Sequence, residues 1–347
     1  MRDHRAFDSR VAELTALVEA AGAGVVGTIV QHRPQVDPAT LLGSGKVTEL
    51  AAAARDLDAG IVVTLNPLRP RQRSALEKAV GADVSVMDRN VIILDIFAQH
   101  ARTSEGKLQV ELAQLRHRLA NLIGSRDALS RLGGGIGTRG PGETKLEVDR
   151  RRMRLRISRL ECDLKTVRER RREQRRGRHG TPVVALVGYT NAGKSSLLNA
   201  LTGAHALVAD QPFATLDPTL RRIRFADGSG AILADTVGFI SDLPAELLNA
   251  FRATLEEVTS ASALVHVVDA SNREWESQRE AVVRVLSELG ADGKPTITAF
   301  NKIDVVKSPE PTLEGIEGIR VSARTGEGLD ELNRATSLLC SGSTEGR

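Results

Sequence analysis

Residues 183–198 read VVALVGYTNAGKSSLL, an apolar run followed by a glycine-bounded loop and a helix-forming stretch. The centre of this stretch, Gly188-Tyr-Thr-Asn-Ala-Gly193-Lys194-Ser195, fits the pattern G-x-x-x-x-G-K-[ST]. In this pattern the glycines let backbone N–H groups turn inward around phosphates, the lysine reaches the β- and γ-phosphates, and the serine hydroxyl ligates Mg²⁺. A strand before the loop and a helix after it supply the context that this chemistry needs. We therefore predict a nucleotide phosphate site here.

A second motif points to the base of the nucleotide. Asn301-Lys302-Ile-Asp304 follows the apolar run TITAF. Its aspartate can accept hydrogen bonds from N1–H and the 2-amino group of guanine, and adenine has neither donor. Asn301 and Lys302 are expected to brace the base pocket and the phosphate loop, and residues 321–323 (Val-Ser-Ala) are placed to close over the guanine O6. These motifs predict a GTP-binding, GTP-hydrolysing domain.

A third motif lies where the run AILAD ends. Asp235-Thr-Val-Gly238 places an aspartate at a strand end, where it can hold the Mg²⁺ shell. Gly238 has no side chain, so its N–H can approach the γ-phosphate closely. The next residue is Phe239, where many GTPases have a glutamine that orients the attacking water. Because phenylalanine cannot hydrogen-bond water, we expect slow intrinsic hydrolysis and a partner that completes the site.

The expected switch loop leaves two alternatives open. Pro212-Phe-Ala-Thr215-Leu-Asp-Pro218-Thr219 lies where a threonine should reach Mg²⁺ and the γ-phosphate. Thr215 and Thr219 both compete for that role, and a proline-flanked surface turn fits the same residues. In the phosphate loop, Asn191 is a candidate ligand for K⁺, or an asparagine that simply suits a loop.

The basic charge of the chain is concentrated in one segment. Residues 131–178 hold 17 Lys/Arg and 7 Asp/Glu, a net charge of +10 in a chain whose total is +4. Leucines recur at helical spacing from Leu108 to Leu122, and a second apolar stripe runs from Leu146 to Val167. Two striped helices joined by a loop predict an antiparallel hairpin, and the charge predicts a surface that binds a polyanion.

The loop between these helices carries a misleading motif. It reads GGGIGTRGPGETKLE over residues 133–147, and Gly135-Ile-Gly-Thr-Arg-Gly140 matches the dinucleotide fingerprint G-x-G-x-x-G. That fingerprint needs a strand before it, whereas a leucine-striped helix precedes this one. We interpret the loop, about residues 124–145, as the tip of the hairpin, where cations meet phosphate. The candidate RNA contacts are Arg131, Arg139 and Lys145.

The first hundred residues alternate strand-like and helical stretches. The strand-like runs are GVVGTIV (24–30), GIVVTL (60–65) and ADVSVMD (82–88), and the helical ones are KVTELAAAARDL (46–57) and RPRQRSALEKAV (69–80). This order predicts a small parallel sheet with crossover helices.

Several classes are excluded by what the sequence lacks. No apolar run approaches 18 residues, and the N-terminal stretch MRDHRAFDSR has no apolar core, so neither a membrane span nor a signal peptide is expected. Two distant cysteines, Cys162 and Cys340, form neither a disulfide framework nor a zinc site, and we expect reduced thiols. We expect a cytoplasmic monomer.

Six stretches together resemble the HflX family of ribosome-associated GTPases, a branch of the TRAFAC GTPases. They are GYTNAGKS, FATLD, DTVGFI, NKID, DIFAQHARTSEGKLQVELAQLRHRL (95–119) and GGGIGTRGPGETKLEVDRR (133–151). The resemblance covers about residues 40–330 of the 347. It implies an N-terminal α/β subdomain (1–102), a basic helical hairpin (103–180) and a doubly wound P-loop GTPase domain (181–347).

The resemblance also implies site roles and partners. It aligns the Mg²⁺-binding threonine with Thr215 and extends the base-closing turn to Arg324. It implies binding to the large ribosomal subunit and its rRNA, with the hairpin tip near the peptidyl transferase centre. It further implies action under stress and splitting of idle or stalled ribosomes.

The resulting site prediction has three parts. The catalytic residues are Lys194, Thr215 and Gly238, and the metal residues are Ser195 and Thr215, with Asp235 in the outer shell of Mg²⁺. The GTP-binding residues are Gly188, Tyr189, Thr190, Asn191, Ala192, Gly193, Lys194, Ser195, Phe213, Ala214, Thr215, Leu216, Asp217, Asp235, Thr236, Val237, Gly238, Asn301, Lys302, Ile303, Asp304, Ser322, Ala323 and Arg324.

Two functions remain open from the sequence. In the first, the chain is a GTP-switched factor that binds ribosomal RNA through its basic hairpin, and hydrolysis serves release. In the second, it regulates other proteins, the hairpin is a docking arm, and the basic face is solvated surface. A third interpretation, an RNA-binding module with a vestigial GTPase, conflicts with the intact motifs.

Overall fold

The computed structural model describes residues 2–130, 145–176, 181–203, 211–241, 255–306 and 316–342. The chain divides into two compact units, Met1–Gln99 with Leu108–Lys165, and His100–Lys107 with Thr166–Arg347. Among the helices in the described ranges, none combines the length and apolarity that a bilayer crossing requires.

The first unit contains a small parallel sheet. Strands β1 (Ile61–Thr64) and β2 (Ser85–Asp88) pair in parallel, with Ile61 opposite Ser85. The crossover between them is α3 (Pro70–Val80), which starts with a proline in its first turn. The other helices before residue 101 are α1 (Arg2–Ala20), α2 (Ser44–Asp56) and α4 (Arg89–His100). The parallel pair and its crossover helix confirm the prediction for this region.

The strand predicted for GVVGTIV (24–30) is wrong. No strand forms in these residues, and within the described chain β1 and β2 pair only with each other. Val25 and Val26 are 41% and 61% exposed. An extended segment becomes a strand only when a neighbour accepts its backbone hydrogen bonds, and glycine in the run weakens that pairing further.

Helices α5 (Ser104–Ser130) and α6 (Lys145–Arg176) form the hairpin. Their shared core consists of buried and half-buried apolar residues, namely Leu108, Leu112, Leu115, Ile157, Leu160 and Leu164. Nearer the loop, Arg150 donates to the Leu122 carbonyl at 2.6 Å. Residues late in α5 therefore meet residues early in α6, which confirms the antiparallel hairpin.

The N-terminal part of the predicted hairpin tip is helical instead of a loop. Helix α5 continues to Ser130, so residues 124–130 are helical and do not belong to the loop. Arg131 and Arg139 lie outside the described residues, and Lys145 is the first residue of α6.

The second unit is built on a six-stranded sheet in the order β4-β5-β3-β6-β7-β8. The strands are β3 (Val183–Gly188), β4 (Thr219–Arg224), β5 (Gly230–Asp235), β6 (Ala263–Asp269), β7 (Thr296–Asn301) and β8 (Ile319–Arg320). Among these six described strands, only the β4–β5 pair is antiparallel. The helices described here are α7 (Lys194–Thr202), α8 (Glu256–Ser260), α9 (Trp275–Glu288) and α10 (Leu329–Gly342). This arrangement confirms the predicted doubly wound α/β domain.

The strand order decides where a ligand can bind. β3 lies between β5 and β6, so the chain turns to opposite sides of β3 as it builds the sheet. In such sheets the crevice outside the carboxyl ends of the strands, at the point where the order reverses, is the binding site. The loop after Gly188 opens directly into that crevice.

Truncation of the hairpin core tests its packing. Leu160 is fully buried, so Leu160→Ala should lower the free energy of unfolding by about 2–5 kcal/mol through lost burial and a residual cavity. Leu155 is 57% exposed on the same helix, and Leu155→Ala should cost no more than about 0.5 kcal/mol. Urea unfolding followed by circular dichroism measures both. Equal losses in the two variants would contradict the packing.

Candidate nucleotide-binding site

The phosphate loop, residues 188–195, connects β3 to α7. A Cβ at Gly188 would run into the carbonyl oxygen of Val267 on β6. Gly193 has φ +89°, a left-handed conformation that favours glycine, and it precedes the first residue of α7. The loop therefore leads into a helix N-terminus, whose N–H groups and dipole attract anions.

Lys194 lies inside this loop. Its Nζ donates to the Tyr189 carbonyl at 2.8 Å and to the Gly188 carbonyl at 3.2 Å. Burial lowers the pKa of Lys194 to about 8, while the nearby Asp235 carboxylate acts in the opposite direction. The ammonium is therefore still the major form at neutral pH, and it is held against the carbonyl oxygens of the loop.

Three side-chain oxygens converge beside the loop. Ser195 Oγ lies 2.9 Å from Thr215 Oγ1 and donates to Asp235 Oδ2 at 2.6 Å. Thr215 Oγ1 donates to the same Oδ2 at 3.1 Å. Of the two threonines that competed for this place, Thr215 is in the cluster, whereas Thr219 begins β4.

This cluster fits Mg²⁺. Hydroxyl and carboxylate oxygens are the ligands that Mg²⁺ accepts. Among the described residues, Oδ1 of Asp235 is buried without a hydrogen-bond partner. Burial raises the pKa of Asp235, and the charge of Lys194 partly offsets that rise. A divalent cation would compensate the buried carboxylate.

The segment after β5 runs along the phosphate loop. Phe239 N–H donates to the Gly188 carbonyl at 3.0 Å, and Thr190 N–H donates to the Phe239 carbonyl at 2.7 Å. At Gly238 a Cβ would lie 2.8 Å from the Thr190 Cα, so this close approach requires glycine. The Phe239 side chain is 1% exposed and takes no part in the cleft.

The residues predicted to read the base also come together. Asp304 accepts from Ser322 Oγ at 2.7 Å and pairs with Arg324 at 2.7 Å. Asn301 donates to the Ala192 carbonyl at 2.9 Å and accepts from Ala323 N–H at 3.1 Å. The amide of Asn301 thus joins the phosphate loop to the base-closing turn.

A cleft marks the phosphate end of the site. Its lining consists of Thr190, Asn191, Gly193, Lys194, Ser195, Ser196, Gln211, Phe213, Ala214, Thr215, Thr236 and Gly238. Ser196 and Gln211 were not among the predicted site residues. Both adjoin predicted motifs, so extending each motif by one or two residues would have included them.

Some residues predicted to bind GTP do not line this cleft. Tyr189, Ala192, Leu216 and Val237 are buried and do not line the cleft. Ile303 packs against the core cluster of Trp275 and Phe300. Asp217 also lies off the cleft, and its carboxylate accepts from backbone N–H groups of residues 102 and 103.

Two residues that position the site were missed. Asp269 ends β6 and pairs with Lys302 at 2.7 Å. Its place at the carboxyl edge of the sheet was a usable signal. Ser241 N–H donates to the Tyr189 hydroxyl at 2.8 Å, and its Oγ lies 2.8 Å from the same atom. No local pattern in the sequence indicates that contact.

A doubly wound sheet with a phosphate loop, an adjacent oxygen cluster and an Asn-Lys-x-Asp segment at the end of β7 defines a P-loop GTPase. Comparisons agree with this class. Residues 8–98 match the family described as GTP-binding GTPase N-terminal, residues 100–178 match GTP-binding GTPase Middle Region, and residues 183–302 match 50S ribosome-binding GTPase.

Similar proteins identify the family. The chain is 49% identical over 324 residues to GTPase HflX of Lacrimispora saccharolytica, covering 92% of this chain and 76% of that protein. It is 45% identical over 337 residues to GTPase HflX of Escherichia coli, covering 95% and 79%. A crystal structure of the SsGBP–GDP complex aligns with a TM-score of 0.53 at 25% identity over 95% of both chains. The chain belongs to the HflX family of GTPases and hydrolyses GTP.

His266 introduces a titratable group beneath the site. It lies on β6 opposite Val187 of β3 and is 3% exposed. Burial lowers the pKa of His266 to about 4, and the charges of Arg279 and Lys194 add to the effect. The imidazole is therefore neutral at pH 7.

Acid should destabilise the fold through this histidine. The unfolded chain binds the proton near pH 6.5, whereas the folded chain binds it only near pH 4, so stability falls as the pH drops between these values. At pH 5 the loss should be about 2 kcal/mol. His266→Gln should remove it, whereas His32→Gln, at an exposed position, should not. Urea unfolding at pH 7 and pH 5 measures the difference; an unchanged acid loss in His266→Gln would contradict the assignment.

Proposed function

We propose that residues 188–195, 213–215, 235–238, 301–304 and 322–324 hold GTP and Mg²⁺. Ser195 and Thr215 would hold the metal, with Asp235 behind them, and the metal would neutralise charge on the β- and γ-phosphates. The proposal is supported by the convergence of their three oxygens within 3.1 Å of one another.

The other catalytic roles follow from the same geometry. Lys194 binds the β- and γ-phosphates, because its ammonium lies within the loop. The Gly238 N–H approaches the γ-phosphate, because that position tolerates no side chain. Positioned donors of this kind stabilise the charge of phosphoryl transfer.

Intrinsic hydrolysis is slow in this proposal. Phe239 is buried and cannot orient water, so a group from a partner completes the site. Assistance by K⁺ through Asn191 stays a prediction, which rates in KCl and NaCl would test. Asn191 does line the cleft.

Guanine specificity rests on Asp304 in this proposal. Asp304→Asn should weaken GTP binding by roughly two orders of magnitude, because the amide cannot accept both guanine donors at once. Binding of xanthosine triphosphate should improve, since its 2-oxo group accepts from the new amide. Titration of fluorescent analogues measures both, with Asp330→Asn on the exposed start of α10 as the control. An unchanged preference for guanine would show that another residue recognises the base.

We further propose that the protein binds the large ribosomal subunit and its rRNA through the hairpin, and that it splits or rescues idle or stalled ribosomes under stress. The observation that carries this is a set of exposed arginines on α6. Arg152, Arg154 and Arg159 are exposed there, while Leu160 and Leu164 are buried in the hairpin core. Exposed arginines along a helix bind phosphates and release counterions. The match to a 50S ribosome-binding GTPase family adds support.

The mechanism we propose separates binding from hydrolysis. GTP orders the switch loops and favours ribosome binding, and hydrolysis releases them. Splitting is then steric, driven by binding between the subunits. A nonhydrolysable GTP analogue should accordingly support one round of splitting.

A second function is favoured by a specific observation. Arg116 pairs with Glu161 at 2.6 Å, and Arg156 pairs with Glu111 at 2.8 Å, so part of the basic charge is neutralised within the hairpin. That is typical of a solvated helical surface and suits a docking arm for another protein. Binding to a protein partner would depend weakly on salt, whereas binding to RNA depends steeply.

Charge reversal distinguishes these functions. Replacing Arg152, Arg154 and Arg159 with glutamate should weaken binding to large subunits and lower the salt slope by about one for each lost phosphate contact. Arg139→Glu with Lys145→Glu should do the same if the tip touches RNA. Cosedimentation with purified ribosomal subunits across a salt series measures the effect.

The controls for this experiment test specificity. Arg284→Glu, an exposed site on α9, should leave ribosome binding intact. All variants should keep their GTP affinity. Salt-insensitive binding, or loss of GTP affinity in the tip variant, would contradict the rRNA proposal. Sedimentation of 70S ribosomes with GTP, GDP or the analogue then reports splitting directly.

A further inference from the structure

The carboxylate of Asp217 is held by the start of α5. Its Oδ2 accepts from the N–H groups of Arg102 at 2.9 Å and Thr103 at 2.8 Å, and its Oδ1 accepts from Thr103 Oγ1 at 2.5 Å. Residues 100–107 belong to the same compact unit as the GTPase sheet, so the contact lies within one unit. We call this set of hydrogen bonds between Asp217 and residues 102–103 the clasp.

We propose that Asp217 is a positioning residue of the GTPase switch, and that the first turn of α5 is thereby part of the switch. Held in the clasp, Asp217 fixes Thr215, two residues earlier, against Ser195 and Asp235. The inference rests on the proposed assignment of Thr215 to Mg²⁺. It goes beyond that assignment because it adds a contact from outside the nucleotide motifs.

The local chemistry of the clasp is specific. Thr103 Oγ1 also accepts from Gly106 N–H at 2.9 Å, so Thr103 caps α5 and donates its proton to Asp217. A carboxylate at a helix N-terminus is stabilised by the helix dipole and by the first N–H groups. The interaction therefore supplies acceptors for the N–H groups at the start of α5 and donors for the carboxylate in the switch loop.

The helix is shaped to receive the carboxylate. A Cβ at Gly106 would lie 2.6 Å from Asp217 Oδ1, closer than any side chain tolerates. The residue is glycine in an α-helix, where alanine would ordinarily be favoured by about 1 kcal/mol. Close approach of Asp217 accounts for that choice.

The clasp is close along the chain to the oxygen cluster of Ser195, Thr215 and Asp235. Two residues of extended chain span at most about 7 Å. Leu216, between Thr215 and Asp217, is 2% exposed, which leaves the segment little freedom to absorb a displacement. A shift in the first turn of α5 therefore reaches the hydroxyl of Thr215 directly, and α5 continues from this turn to Ser130.

Nucleotide binding with and without metal tests the inference. The measurement is the equilibrium affinity of a fluorescent nonhydrolysable GTP analogue and of fluorescent GDP, each in Mg²⁺ and in EDTA. Asp217→Ala and Thr103→Val should each lose about tenfold of the Mg²⁺-dependent gain for the GTP analogue. Their affinity for GDP in EDTA should not change, since the phosphate loop and the base pocket are intact.

Three further variants make the test sharp. Thr103→Ser keeps the hydroxyl and should behave as the original chain. Lys107→Ala, an exposed change in the same turn, should be neutral. The double variant Asp217→Ala/Thr103→Val should be no worse than Asp217→Ala, because the bond that Thr103→Val removes is one of the three that Asp217→Ala removes.

Gly106→Ala gives an independent test. It should reduce the Mg²⁺-dependent gain when Asp217 is present and have no effect in the Asp217→Ala background, where the clash is gone. Thr103→Val leaves the switch-loop sequence intact, so it carries the test if Asp217→Ala does not fold.

The outcomes separate this inference from the metal assignment. If Thr215→Ala loses the Mg²⁺-dependent gain while the clasp variants keep it, the positioning role of Asp217 is wrong and the metal assignment stands. If Thr215→Ala also keeps the gain, the metal assignment fails and the inference fails with it.

Discussion

The second unit depends on the meeting of three oxygens, from Ser195, Thr215 and Asp235. Each comes from a different element, namely the start of α7, the loop before β4 and the end of β5. They meet where β5 lies beside β3 and β4 returns antiparallel beside β5. A buried carboxylate without such partners would be costly, so the cluster favours this sheet order over its alternatives.

The charges of Lys194 and Asp235 affect the protonation of the groups around them. Lys194 and Asp235 are both buried, and each moderates the pKa shift that burial imposes on the other. A protonated imidazole close to Lys194 would be unfavourable in this medium of low dielectric constant. His266 stays neutral mainly because it is buried, and the charges of Arg279 and Lys194 add to the effect.

Sequence alone predicts the parts of this molecule that depend on local pattern. The motifs at strand ends converge because parallel strands share one carboxyl edge, and the leucine stripes pair because their helical spacing matches. The failure at residues 24–30 has a different cause, since strand formation depends on a distant partner that an apolar run does not specify. The placement of Asp217 was missed for the same reason, because its partners lie 114 and 115 residues earlier in the chain. The ligand roles of the site residues and the three-domain division stay predictions.

Several motif residues form hydrogen bonds that connect different segments of the chain. Thr236 donates to the Leu186 carbonyl at 2.7 Å, which ties the segment after β5 to the central strand. Asn301 joins the phosphate loop to the turn at residues 322–324. Asp217 joins the switch loop to the start of α5. The phosphate loop and residues 322–324 are therefore joined by hydrogen bonds through Asn301, so the predicted phosphate and base ends of the site belong to one network. A ligand that orders one loop therefore lowers the cost of ordering the next, which is the physical basis on which a loop-built site can respond as a unit.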